Sequence, residues 1–447
     1  MSIESASKIG LVFAGGGAKG AYQIGAWKAL HELNIEANIV TGTSIGALNG
    51  ALYVQGDLDA ALELWNSLSI DDVLSLDFPF ELDSISKKLA STTRFVQKMF
   101  QDRGLDYKPL RSVLERTISE ENIRKAKADF GLVTVTYPEF TPCELFVDQI
   151  PENLLIDYLL ASAALFPAMK KHTIGDTDYV DGGYADSFPI PMAKKRGADH
   201  IIAIDLKHEG WLKRNQPEDP NVQKVVPSRN LGPVLLFNKD LVADNIALGY
   251  FDTLRKLGKI EGFQYHFGIG VADALYEMFA QKYMQFMELF GWETDRKPDS
   301  TLEYTARFKI ARYFLKQKQK RLSPKEFILA SLEAAASIYE IDRSNLITSL
   351  SSINDMVYSK YLIALQQYKA NTTNQTDDFL DIAADLFRLS KECRVVYIIN
   401  CVQAVEKNAE LRTQLYLIAT LFPAELLAAI YIYLFHEIAH PDARTIA

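Results

Sequence analysis

Strand-length apolar runs alternate with helix-length segments along the first two hundred residues, and this alternation leaves few folds open. Runs at 9–14, 35–40, 130–136, 145–147, 179–180 and 201–205 read as strands. Between them lie segments such as 21–33, where Ile24, Trp27, Leu30 and Leu33 recur at helical spacing. Strands separated by helices pair mainly in parallel, and the helices cover both faces of the sheet. The expected fold class is therefore α/β, a mainly parallel sheet sandwiched by helices in a three-layer arrangement. Ligands of such sheets collect at the carboxyl ends of the strands.

The rest of the chain departs from this pattern. Residues 71–128 read as helices and loops without a convincing strand, and are expected to be an insertion or cap. Pro217, Pro220, Pro227 and Pro233 mark an irregular stretch after the last strand. From about Thr301 the chain reads as helical throughout. Ser323-Pro324-Lys325-Glu326 has a serine cap, proline at the first helical position and a capping-box glutamate. Leu346, Leu350, Ile353, Val357 and Tyr361 form an apolar stripe, and residues 371–378 read as a connector. We expect a catalytic domain over 1–290 that includes the 71–128 insertion. An all-helical region over 291–447 follows. Apart from one short match near its end, weighed below, it bears no chemical motif and is a candidate surface for self-association or for a regulator.

Composition narrows the functional classes. The 447 residues are 48% hydrophobic and 23% charged, as in ordinary globular proteins. A net charge of −9 argues against nucleic acid as a partner. Cys143, Cys393 and Cys401 are scattered and odd in number, which suits free thiols in a reducing cytoplasm. Residues 1–8 have no apolar core of a secretory signal, and no run of about 18 apolar residues suggests a membrane span. The expected location is the cytoplasm, with peripheral contact at membranes. Residues 85–103 carry Lys87, Lys88, Arg94, Lys98 and Arg103 among Leu89, Val96, Met99 and Phe100. A basic amphipathic segment of this kind suits a transient membrane surface and, equally, a cap over a site.

Two glycine-flanked turns close the first two candidate strands. The first is Gly15-Gly16-Gly17-Ala18-Lys19-Gly20, the second Gly42-Thr43-Ser44-Ile45-Gly46. The first matches G-x-G-x-x-G, but a dinucleotide site needs an acidic residue at the end of the second strand. That strand ends in Val40-Thr41-Gly42 instead. A Walker loop fails as well, because Gly20 follows Lys19 where Ser or Thr is required. Successive glycines can instead let backbone N–H groups converge on a negative oxygen, and each such donor lowers an acyl-transfer barrier by about 3 kcal/mol. The following helix adds its positive N-terminal dipole. Lys19 either adds charge there or is solvated at the helix start.

G-x-S-x-G sets a serine on a sharp strand-to-helix turn. Gly46, Ala47, Gly50 and Ala51 keep the next helix thin. Ser44 is thus the candidate nucleophile, the other reading being a tight turn with a structural serine. None of the seven histidines falls in an obvious catalytic turn. Tyr179-Val180-Asp181-Gly182-Gly183, by contrast, delivers a carboxylate from a strand end into a glycine turn. Asp181 is the candidate base, although D-G pairs are also common in structural turns. An aspartate with a pKa near 3.9 is a poor base unless burial raises it.

In order and spacing, G-G-G-x-K-G, G-T-S-x-G and D-G-G resemble the patatin-like phospholipase family. Ala161-Ser162-Ala163-Ala164 with Phe166-Pro167 fits the same pattern, as do Pro109-Leu110, the segment 181–191 with Gly197-Ala198-Asp199, and Gly249-Tyr250-Phe251-Asp252. The resemblance covers residues 8–257. It departs in having Lys19 where arginine is frequent and Gly183 where alanine also occurs. It implies that Ser44 is the nucleophile and Asp181 its partner in a dyad without histidine. It implies an oxyanion hole over residues 15–20, with Gly16 and Gly17 the principal donors. The implied activity is a lipid acyl hydrolase acting on phospholipid or other acyl-ester lipid, with no cofactor. Two other readings keep the fold: a lipid-binding or regulatory protein of little turnover, and an acyltransferase in which an alcohol or lysolipid replaces water.

His436-Glu437-Ile438-Ala439-His440 matches the H-E-x-x-H zinc signature. Pro441 ends that helix at once and leaves no place for a downstream ligand, so no metal is expected, and a terminal helix with two exposed histidines is the reading preferred.

Overall fold

The computed structural model describes residues 8–76, 85–207, 219–289, 297–314, 323–371 and 379–439. The chain forms two compact units, Met1–Gly258 and Lys259–Ala447.

The first unit is built on an eight-stranded sheet. Its strands are β1 (Ile9–Phe13), β2 (Ile39–Thr43), β3 (Asp129–Tyr137), β4 (Pro142–Phe146), β5 (His172–Ile174), β6 (Thr177–Asp181), β7 (His200–Ile204) and β8 (Val222–Val225). The spatial order is β5-β6-β3-β2-β1-β7-β8, with β4 also paired to β3. The pairs from β3 across to β8 are parallel. β1 and β7 are near-continuous apolar strands because both faces are covered. Leu11 and Phe13 pack on one face and Val12 on the other, all of them buried.

The covering helices are α1 (Ala21–Glu32), α2 (Ile45–Gln55), α3 (Leu58–Ser67), α4 (Ile85–Gln101), α5 (Lys108–Thr117), α6 (Glu120–Lys125), α7 (Leu155–Ala163), α8 (Ile190–Lys195) and α9 (Lys239–Lys256). Residues 71–128 hold helices and loops and, among the described residues, no strand. Asp252 of α9 ties that helix to its surroundings. It accepts from the Tyr22 hydroxyl at 3.1 Å and the Ser228 N–H at 2.8 Å, and it pairs with Arg255.

Four strands differ from the sequence expectation. The second strand begins at Ile39, not at 35, because Ile35 still closes the preceding helix. Asn34 takes φ +54°, the Ile35 N–H bonds the Leu30 carbonyl and the Asn34 N–H bonds that of His31, a Schellman ending. β5 and β8 are short, partly exposed strands at the two sheet edges, without a period-two signal. β6 runs against β3, so Asp181 does not arrive on a parallel strand. Thr43 of β2 pairs with Val133, and β3 continues beyond it to Tyr137. β6 lies along this overhang and returns toward the β2 terminus, so that Asp181 stands opposite Thr134. The carboxylate thus reaches the level of residue 44 from the opposite direction.

The second unit contains α10 (Val271–Leu289), α11 (Thr301–Phe314), α12 (Pro324–Ile338), α13 (Leu350–Asn371), α14 (Phe379–Arg388), α15 (Lys391–Lys407), α16 (Arg412–Leu421) and α17 (Pro423–Ala439). α10 falls here because it packs on α12 and α17, which places the division after Gly258 and not at 290. The capping box of Ser323 and Glu326 forms as expected. The apolar stripe continues through Ile353, Val357 and Tyr361 in the core. Leu346, however, belongs to a short parallel pair, β9 (His266–Phe267) with β10 (Leu346–Ile347), so the region is not purely helical. Buried Glu333 accepts backbone N–H groups from Phe263 at 2.6 Å and Gln264 at 2.8 Å. Among the described residues, no helix is long and apolar enough to cross a membrane.

Candidate active site

Ser44 follows the last residue of β2 and caps α2, with φ +55° and ψ −128°. A non-glycine residue holds such a conformation only where its surroundings over-determine it. Here the Ser44 N–H donates to Ser162 Oγ at 2.9 Å, and the Ser162 hydroxyl donates to the Val133 carbonyl at 2.7 Å. The Ser44 carbonyl accepts from the Ala47 N–H at 2.8 Å. The flanking glycines are needed for backbone approach. A Cβ on Gly42 would lie 2.2 Å from the Gly46 carbonyl oxygen, and one on Gly46 would lie 2.2 Å from that of Phe13. Ile45 begins the helix and Thr43 anchors a crossing loop through Oγ1, which donates to the Asp186 carbonyl at 2.7 Å.

The glycine loop runs beside this elbow. A Cβ on Gly15 would sit 3.4 Å from the Ser44 Cβ. Gly17, at φ +57°, admits no side chain, because its Cβ would fall 2.4 Å from the Val234 carbonyl oxygen. The Gly15 N–H is spent on the Ser187 carbonyl at 2.9 Å, the Ala18 N–H on Val234 at 2.7 Å and the Lys19 N–H on Gly16 at 3.4 Å. Among the described residues, the Gly16 and Gly17 N–H groups donate to no protein acceptor. Lys19 is half-buried within a short 3-10 turn that ends at Gly20, where α1 starts.

Asp181 is 5% exposed. Its N–H donates to the Ala164 carbonyl at 2.8 Å, and its carboxylate accepts from the Gly183 N–H at 2.7 Å. Burial pushes its pKa up to about 6, against partial opposition from hydrogen bonds with the Ser44 hydroxyl and the Gly183 N–H. Gly182 lies against Val133 and Thr43. The loop then crosses the ends of β2 and β1, held by Thr43 on Asp186, Gly15 on Ser187 and Thr41 on Pro189. Ser44, Asp181, the 15–20 loop, the elbow and the Asp181 turn therefore meet in one place.

The sequence reading missed a buried polar group behind this place. Gln23, Asn49 and Trp65 are each no more than 1% exposed and are hydrogen-bonded to one another and to the glycine loop. The available signal was a polar side chain on a helix face that is otherwise apolar or small. His172 is a second buried polar residue. Its Nε2 meets Asp157 at 3.0 Å and its Nδ1 meets the Tyr107 hydroxyl at 2.8 Å.

The H-E-x-x-H match corrects differently. His440 lies outside the described residues. His436 is not an exposed histidine: it is buried and shares a hydrogen bond with the Tyr358 hydroxyl. Among the described residues, no group of three potential metal ligands lies together.

Comparisons with known proteins bear on the first unit. Residues 11–194 match the Patatin-like phospholipase family model. Lysophospholipase nte1 of Aspergillus terreus is 30% identical over 215 residues, covering 47% of this chain and 12% of that protein. Patatin-like phospholipase domain-containing protein 7 of Rattus norvegicus is 28% identical over 207 residues, covering 46% and 14%. The chain thus spans a small fraction of the length of these relatives. VipD from Legionella pneumophila is a similar solved structure, with a TM-score of 0.37 and 12% identity over 98% of this chain and 92% of that one. The glycine loop, Ser44 and Asp181 all fall inside residues 11–194, the segment that matches the Patatin-like phospholipase family model.

Proposed function

We propose that the protein is a lipid acyl hydrolase, a serine esterase that cleaves fatty-acyl esters of phospholipid or lysophospholipid. The observation that carries this reading is the Ser44 hydroxyl on a buried carboxylate of raised pKa, beside two glycine amides that have no protein acceptor among the described residues. In the first step Ser44 Oγ attacks the ester carbonyl while Asp181 takes its proton. The oxyanion rests on the Gly16 and Gly17 N–H groups, and Asp181 returns the proton to the departing alcohol or lysolipid. Water then attacks the acyl-serine, again losing a proton to Asp181. The fatty acid leaves as Ser44 recovers its hydrogen. A base of pKa near 6 suits this work better than one near 4, since general-base efficiency is greatest close to the working pH. The fit of the family model to these residues supports the same reading.

A fluorophosphonate probe is expected to label the protein once, on the peptide that contains Ser44. Purified protein should release fatty acid from lysophospholipid vesicles in step with the unlabelled fraction. Labelling elsewhere, or hydrolysis that survives complete labelling of Ser44, contradicts the assignment. Adding an acceptor alcohol distinguishes acyl transfer, which would yield the corresponding ester at the expense of free acid.

Helix α4, in the 71–128 segment that we take as a cap, supplies this reading with a membrane-facing side. On α4, Val96 is 41% exposed and Phe100, one turn on, is 71% exposed. Arg94, Lys98 and Arg103 lie in the same stretch of chain. An apolar pair flanked by basic groups suits insertion at an anionic bilayer. Inserting side chains of this size contributes roughly 1.5–3 kcal/mol each when fully buried. The double variant Val96→Ser/Phe100→Ser is therefore expected to lower co-sedimentation with phosphatidylserine-containing vesicles at least tenfold. Hydrolysis of a short, water-soluble ester should stay unchanged. Equal vesicle binding by the variant would remove the cap from this role.

A further inference from the structure

The buried polar group behind the glycine loop has a geometry that core packing alone does not require. Gln23 Nε2 donates to the Ala14 carbonyl at 2.7 Å, at the point where the chain leaves β1. Asn49 Nδ2 donates to the Gly20 carbonyl at 3.0 Å, where the loop enters α1. The same Asn49 amide donates to Gln23 Oε1 at 2.7 Å, and Asn49 Oδ1 accepts the Trp65 indole N–H at 3.0 Å. Both Asn49 donors are thus engaged, and both side-chain amides are linked to each other. Trp65 in turn stacks on Phe237, with ring centroids 6.5 Å apart. Phe237 follows closely on Val234, whose carbonyl holds the Ala18 N–H in mid-loop.

We infer that Gln23 and Asn49, with Trp65 behind them, are positioning residues that aim the Gly16 and Gly17 amides at the oxygen of the reacting carbonyl. The inference rests on the hydrolase reading above. Its logic is mechanical. The loop between Ala14 and Gly20 is fixed at both ends by side-chain amides, while its Gly15, Ala18 and Lys19 N–H groups are fixed by backbone carbonyls. Only the two amides left over can serve a ligand. Asn49 stands one turn into α2, the helix that Ser44 caps. One helix therefore carries the nucleophile at its start and the anchor of the glycine loop shortly after it. Tethering both to one rigid element fixes the distance between attacking oxygen and hydrogen-bond donors. Such constellations must hold to within about half an ångström, and a 1 Å displacement can lower a rate roughly a hundredfold.

Apolar replacements of similar volume test the idea: each keeps the packing but leaves its former partners buried and unpaired, so it destabilises the fold, and rates are therefore read per folded active site. Asn49→Leu and Gln23→Met are expected to lower kcat per active site by ~10- to 100-fold, with KM within about twofold. Active sites are counted by fluorophosphonate titration, so that misfolded protein does not enter the rate. Affinity for a fatty trifluoromethyl ketone, which forms a tetrahedral adduct, should weaken by the same factor as kcat/KM. Combining the two substitutions should add little to either alone, since residues of one network are non-additive. Trp65→Phe removes only the outermost donor and should give a smaller loss in the same direction. Per-site kcat within twofold of the parent in Asn49→Leu overturns the inference. Should that variant not fold, Gln23→Met decides by the same criterion. These outcomes remain separate from the hydrolase reading: a parent that labels at Ser44 and hydrolyses lipid, with variants of unchanged per-site rate, removes only the positioning role. A parent that neither labels nor hydrolyses removes the reading itself.

Discussion

Ser44→Ala is expected to lower fatty-acid release by about 10⁴-fold or more, with vesicle binding intact. Loss of a serine nucleophile in a well-built site approaches loss of the whole catalytic group, and what survives comes from oxyanion stabilisation and binding acting on direct attack by water. The fold should tolerate the change. The contacts that hold residue 44 use its backbone, namely the N–H on Ser162 Oγ and the carbonyl under the Ala47 N–H, and alanine keeps both. What disappears is the hydroxyl on Asp181, and the carboxyl, deprived of a hydrogen bond that lowers its pKa, should rise further above its parent value. Because φ is +55° at this position, Ser44→Gly should be more stable than Ser44→Ala by about 1 kcal/mol, with equally little activity. Mass-spectrometric quantitation of released acid and thermal melts of the three proteins measure all of this. Purified Ser44→Ala retaining more than a few per cent of parent activity removes Ser44 as the nucleophile.

The parts of the site that were legible in the sequence are those where the backbone itself is constrained. Gly42 and Gly46 stand out because another backbone segment passes within contact of them, and Gly17 because its conformation and Val234 leave no room for Cβ. Such positions accept one residue type, so they leave a mark on a single sequence. The Asp181 turn was legible for the same reason, but its direction was not. Whether β6 joins β3 in parallel or antiparallel depends on an overhang of β3 beyond β2, and that overhang is a matter of register between distant segments. Ser162, Gln23 and Asn49 were harder still. Each is a small or amide side chain on a largely buried helix, where one polar residue more or less hardly alters the pattern. Their importance comes from what they meet after folding, the carbonyls of Ala14, Gly20 and Val133, and local spacing carries no trace of that. The second unit shows the same limit. The Ser323 cap was readable because a capping box is local, whereas the recruitment of α10 depends on its packing with α12 and α17 far along the chain.

Asp181→Asn should do two opposite things: abolish most activity and make the protein more stable at neutral and alkaline pH. Removing the proton acceptor forfeits general-base catalysis, which is worth roughly 10²- to 10⁴-fold. The stability effect follows from the raised pKa of the buried carboxyl, about 6 in the folded protein against 3.8 for the ordinary group. Below the unfolded value the group is neutral in both states and folding bears no penalty. As pH rises through the interval between the two values, the unfolded chain ionises first, and the native state loses stability until its own carboxyl ionises near 6. From there upward the loss is constant, and a gap of about 2 pKa units corresponds to about 3 kcal/mol. Asparagine has the same shape, carries no charge, and can still accept the Gly183 N–H through its oxygen. The variant should therefore exceed the parent in unfolding free energy by about 2–3 kcal/mol at pH 8, and the advantage should vanish near pH 4. The same ionisation governs the parent's rate, since only the carboxylate can accept the Ser44 proton. A plot of kcat/KM against pH should climb with unit slope and level off above an apparent pKa near 6, not near 4. Chemical denaturation of both proteins at pH 4 and pH 8, beside that pH profile, decides the matter. Equal stability of parent and variant at pH 8, or a rate limb centred near 4, would mean that Asp181 is not the buried base of raised pKa on which this mechanism turns.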